Sequence, residues 1–130
     1  MPAVPADHGR ADGRWSVSED IILVTADGIG RGDDALGRVL MANFLRFQAD
    51  RPKPVGTVIL MNSGVKLACA STSDFEAHEY LRQLAGRGTR VLSCRTCLEH
   101  FGLLESVDVG AIGGMAQFVE LMTAGRVLTI

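Results

Sequence analysis

Five short apolar runs punctuate the chain, with amphipathic stretches between them. Ile21-Ile22-Leu23-Val24-Thr25 and Thr57-Val58-Ile59-Leu60-Met61 are almost continuously hydrophobic, as strands covered on both faces are, and Thr89 to Ser93, with Val91-Leu92 at its centre, reads as a third strand. Val107 to Ile112 and Arg126 to Ile130 repeat the pattern more weakly. After the first run, Leu36, Val39, Leu40, Asn43, Phe44 and Phe47 recur at i, i+3, i+4, i+7, i+8 and i+11, which predicts a helix buried along that stripe. Asp33 or Asp34 caps its start, and Arg51-Pro52-Lys53-Pro54 stops it. Met41 and Leu45 lie off the stripe, so this helix is apolar beyond one face, which predicts a second packing partner such as another subunit.

Ser73 and Glu76 read as a capping box for a second helix carrying Phe75, Ala77, Leu81, Leu84 and Ala85. Thr96 and Glu99 read as another, which puts Cys97 in the first turn of a short third helix. A fourth helix, from about Met115 to Thr123, is expected to pack Met115, Phe118, Val119 and Met122. The strand-helix alternation predicts an α/β fold: a three-layer α/β/α sandwich around a five-stranded, mainly parallel sheet. Residues 19–130 form this one domain, and residues 1–18, which show no period, read as a flexible N-terminal tail. In such sheets, sites form beyond the carboxyl ends of the strands. Four loops qualify: Asp27–Gly32, Asn62–Cys69, Cys94–Cys97 and Gly113–Gly114.

Composition narrows the function classes. A net charge of -2 over 130 residues offers no basic field for nucleic acid or an anionic membrane. No apolar run is long enough to span a bilayer, and the first residues carry no export signal. Three cysteines do not make a secreted disulfide framework, so a reducing cytoplasm is the expected compartment.

The chemistry concentrates at Cys94-Arg95-Thr96-Cys97, where a strand gives way to a helix. A thiol facing the positive end of a helix ionises more readily, and Arg95 adds positive charge. The plain alternative is two small buried hydrophobes. As chemistry, the pair suits persulfide transfer, with Cys94 as acceptor and Cys97 modulating or resolving, or a reversible disulfide. Zinc needs four ligands, and only Cys69 and His100 are on hand to complete a set, so no metal is expected. Asn62 and Ser63 could donate hydrogen bonds at the mouth of the cleft, or simply satisfy the loop backbone. Lys66 could lower a nearby thiol's pKa, or stay solvated. Cys69 could resolve a persulfide, or pack as a loop thiol. The glycine-rich Asp27–Gly32 turn lacks both the dinucleotide fingerprint and the Walker A lysine, so no cofactor is expected.

Gly30-Arg31-Gly32-Asp33-Asp34-Ala35-Leu36-Gly37, Asn62-Ser63-Gly64-Val65-Lys66-Leu67 and Ser93-Cys94-Arg95-Thr96-Cys97-Leu98 together resemble the DsrE-like domain of YedF proteins, in order and at matching spacing from about residue 19 to 130. Gly110-Ala111-Ile112 through Met115 and Val127-Leu128-Thr129-Ile130 fit the same family. The resemblance implies the DsrE fold, homo-oligomers and sulfur relay, with sulfane sulfur held as a persulfide on the cysteine ending a central strand, here Cys94. It also implies a link to selenium metabolism. Two features depart from the family. YedF proteins commonly carry a TusA-like domain in front, so here a separate TusA-like protein or another protein thiol would serve as donor or acceptor. Arg95 stands where glycine is usual. The sequence thus predicts a sulfurtransferase-like carrier. A non-enzymatic oligomeric binding module and a CxxC thiol–disulfide switch are the alternatives.

Overall fold

The computed structural model describes residues 17–130, so the reading of residues 1–16 as a tail lies outside the described residues. Ser18 is already part of the body, its N–H donating to the Pro54 carbonyl at 2.8 Å. Five parallel strands follow: β1 (Ile21–Val24), β2 (Thr57–Leu60), β3 (Arg90–Cys94), β4 (Ala111–Gly113) and β5 (Val127–Thr129). Their spatial order is β4-β3-β2-β1-β5. Helices α1 (Asp34–Ala49), α2 (Phe75–Gly86), α3 (Arg95–His100) and α4 (Met115–Ala124) make the crossovers. From β1 to β4 the chain steps steadily across the sheet, then returns past β1 to add β5. Right-handed crossovers therefore set α1, α2 and α3 on one face and α4 on the other. The result is the α/β/α arrangement that the alternation predicts.

β2 is buried at every position and β1 and β3 nearly so, which matches their apolar runs. The edge strands β4 and β5 have three residues each, and short edges offer little template for further pairing. Arg87 fastens the turn after α1, its guanidinium donating to the carbonyls of Ala49, Arg51 and Pro52 at 2.6, 2.7 and 3.2 Å.

The burial of α1 reverses the expected stripe. Gly37, Met41, Leu45 and Ala49 face the core, while Leu36, Val39, Leu40 and Phe47 face outward. Gly37 on the inner face lets the start of α1 sit close: the Ile29 N–H donates to the Gly37 carbonyl, and a Cβ on Gly28 would come within 3.1 Å of Gly37. That close approach accounts for part of the glycine-rich turn. Two caps also differ from expectation. Asp33 does cap α1, accepting the Leu36 N–H at 2.8 Å, but Asp74 precedes α2 and Cys94 precedes α3, neither with a side-chain cap bond. Phe75 is exposed, and of the residues expected to pack from α4 only Phe118 is fully buried.

Candidate functional site

The segment after β2 is not an open loop but a 3-10 helix, Asn62–Ala68. It lies over the end of β1 so closely that a Cβ on Gly64 would come within 2.7 Å of the Val24 carbonyl oxygen. Entering it requires a sharp reversal, and Asn62 takes a left-handed conformation (φ 52°), alone among the non-glycine residues described. Asparagine tolerates this region better than most residues do. The turn aims the Asn62 N–H at the Cys97 sulfur, 3.1 Å away.

β3 runs directly into α3, so Cys94 is the last strand residue and Cys97 lies in the first helical turn. The two thiols are free, and Cys94 is close enough to influence the ionisation of Cys97. Their exposure differs: Cys94 is 3% exposed, whereas Cys97 is half-buried and opens onto a cleft of about 310 Å³. Asn62, Thr96, Cys97, His100 and Phe101 line that cleft. It sits at the carboxyl ends of β2 and β3, away from the topological reversal between β1 and β5.

Burial is the largest influence on the Cys97 thiol and pushes its pKa up. The Cys94 neighbour pushes it further, and the Asn62 N–H opposes both. The resting thiol is therefore held protonated rather than as the ready thiolate that the helix start and Arg95 suggested. Arg95 itself is exposed to solvent.

Of the remaining sequence candidates, Thr96 reaches the cleft and the others do not line it. The Ser63 hydroxyl accepts the Asp27 N–H at 3.2 Å and ties the glycine-rich turn to the 3-10 helix. Lys66 holds its ammonium 4.8 Å from the centre of the Phe101 ring, so it braces one cleft wall. Cys69 is fully buried with its sulfur against the Val65 carbonyl, and burial with the nearby Asp108 carboxylate pushes its pKa up. Asp108 is held by His78, whose Nε2 lies 2.9 Å from its carboxylate while Nδ1 lies 2.9 Å from the Leu67 carbonyl. Among the described residues no group of three or more potential ligands could hold a metal ion. No helix among them is long and apolar enough to cross a membrane.

The sequence offers His100 only as a zinc ligand or a surface residue, and it does not single out Phe101; the structure has His100 exposed at the edge of the cleft. The available signal was their spacing: three and four residues after Cys97, they share its helix face. Their rings pack edge to face, with centroids 5.0 Å apart.

Comparison with known proteins places the fold. The profile of the DsrE/DsrF-like family matches residues 21–130. The YchN protein of E. coli has a similar structure, with a TM-score of 0.58 at 18% identity, covering 85% of this chain and 98% of its own. A conserved protein of unknown function from Bacteroides thetaiotaomicron is similar with a TM-score of 0.57 at 16% identity, covering 86% and 95%. No curated protein sequence matches significantly.

Proposed function

The chain belongs to the DsrE/DsrF-like family, and from that premise we propose that it is a sulfur-relay protein that carries sulfane sulfur on Cys97. The supporting observation is the exposure of that thiol beside a backbone donor: Cys97 opens onto the cleft with the Asn62 N–H on its sulfur, while Cys94 lies buried behind it. The working thiol is then the second of the pair, not the strand-ending Cys94 that the resemblance to YedF proteins implies.

In the loading step the Cys97 thiol gives up its proton, and the thiolate attacks the outer sulfur of a donor protein's persulfide. A new S–S bond forms at Cys97, the donor's S–S bond breaks, and the donor leaves as a thiolate. Unloading is the same exchange in reverse, onto an acceptor thiolate. The Asn62 N–H faces the sulfur that carries negative charge before loading and again after unloading. The partners are protein thiols, with a separate TusA-like protein a suitable donor or acceptor. A role in selenium metabolism belongs to the same proposal, since a perselenide would exchange by the same steps.

The test is incubation with a cysteine desulfurase and radiolabelled cysteine, followed by non-reducing gels. Wild type and Cys94→Ser should retain label that a thiol chase removes. Cys97→Ser should retain none. Equal labelling of Cys97→Ser and wild type would overturn the assignment. A second reading, a thiol–disulfide switch, is favoured by the closeness of the two thiols. It requires a Cys94–Cys97 disulfide formed with a two-electron oxidant alone and reversed by a dithiol reductant.

A further inference from the structure

We propose that His100 takes the proton from Cys97 as sulfur is loaded and returns it to the departing donor thiolate. This rests on the sulfur-relay reading of Cys97, in which the thiol must lose a proton during loading. Two of the residues that line the cleft ionise, Cys97 and His100; the others, Asn62, Thr96 and Phe101, neither take up nor release a proton near neutral pH. Histidine is the side chain that ordinarily changes charge between pH 5 and 8, so it can both accept a proton and give it back there.

Helix α3 sets the two side by side. His100 follows Cys97 by three residues, and such neighbours share a helix face with Cβ atoms about 5–6 Å apart. A thiol on one and an imidazole on the other can close that gap, and both open onto the same cleft. A chain of contacts steadies the imidazole. Its ring packs edge to face on Phe101, with the planes at 85°, and Phe101 in turn carries the Lys66 ammonium. Helix α3 packs against the 3-10 helix and β3. The charged side chains on these elements are Arg95 and Glu99 on α3, Lys66 on the 3-10 helix and Arg90 at the far end of β3, and none of them lines the cleft.

The state of the thiol creates the need for a base. Burial and the Cys94 neighbour keep Cys97 protonated, and the Asn62 N–H on its sulfur is a donor that takes up no proton. Cys69 is fully buried, and Asp108 is held by His78. In loading, an imidazole nitrogen takes the Cys97 proton as the sulfur attacks the outer sulfur of a protonated donor persulfide. The S–S bond at Cys97 forms, the donor's S–S bond breaks, and the imidazolium protonates the donor thiolate. One thiol and one persulfide enter, one of each leaves, and no proton or electron is left over.

Single-turnover transfer from a persulfidated cysteine desulfurase, followed from pH 6 to 9 by the mass of the peptide holding Cys97, tests this. The wild-type rate should rise through the imidazole range and then level. His100→Gln should load the same sulfur on Cys97 at least about tenfold more slowly at pH 7, and its rate should keep climbing to pH 9. Free imidazole should restore much of the rate of His100→Ala. Iodoacetamide should alkylate Cys97 equally in all three proteins at pH 9, where hydroxide removes the proton and only the shape of the cleft is read. Equal rates and pH profiles for wild type and His100→Gln would overturn the proposal and leave Cys97 as the carrier. So would a slower variant that keeps the wild-type pH profile and gains nothing from imidazole, since that is the mark of a structural role. A wild type that takes no sulfur on Cys97 would remove the sulfur-relay reading and this proposal with it.

Discussion

At the scale of residues, the Cys97 sulfur is held between opposing influences. Burial and the Cys94 thiol favour its protonated form, and the Asn62 N–H favours the thiolate. Because the first two prevail, alkylation of Cys97 by iodoacetamide should be slow at neutral pH. The rate should climb with a midpoint above the ordinary cysteine value of about 8.5. A fast, pH-independent reaction at neutrality would show a thiolate that this environment does not favour. Asn62 has the more specialised role: its left-handed turn puts the N–H on the sulfur, and φ near 52° is costly for β-branched residues.

At the scale of elements, α1 shows where pattern and packing part. Both sides of the helix are apolar, and the longer series of large residues, from Leu36 to Phe47, drew the prediction to the wrong side. The core accepts the smaller series, Gly37, Met41, Leu45 and Ala49, because the glycine-rich turn and α2 approach that side closely. Leu45→Ala should therefore cost about 2–5 kcal/mol. Leu36→Ala, at an exposed position, should stay within about 0.5 kcal/mol. Urea denaturation of both variants checks this, and the reverse ranking would return the stripe to the core. The strands were legible because a parallel strand covered on both faces is mostly apolar: β1 is apolar throughout, β2 departs only at Thr57, and β3 keeps Val91 and Leu92 at its centre. The caps of α2 and α3 were not, because Ser73 and Thr96 match a capping box in sequence while the chain turns at Asp74 and Cys94. The thiol pair was legible from its own spacing. Its partner Asn62 lies 35 residues away, and their contact exists only because β2 and β3 are neighbours in register.

At the scale of the whole molecule, two thiols with raised pKa values make stability depend on pH. Cys69 and Cys97 both have pKa values raised in the folded state, with burial the first cause in each. Below about pH 8.5 folded and unfolded chains alike keep these protons, and the contribution is fully present. Above it the unfolded chain ionises first and binds fewer protons, so stability falls as pH rises through the folded values. Thermal melts from pH 7 to 10 should show this decline, and Cys69→Ala should flatten it; an unchanged slope in that variant would exclude Cys69 as a contributor. The same sheet that buries Cys94 delivers Cys97 to the surface, and that division of the two thiols is the central claim. Trypsin separates them, because cleavage after Arg90, Arg95 and Arg126 leaves Cys94 in residues 91–95 and Cys97 in residues 96–126. The most direct measurement is therefore the tryptic peptide masses of wild-type protein loaded by a cysteine desulfurase with cysteine and then blocked by alkylation. One extra sulfur on the 96–126 peptide is the expected result, whereas the extra sulfur on residues 91–95 would contradict it.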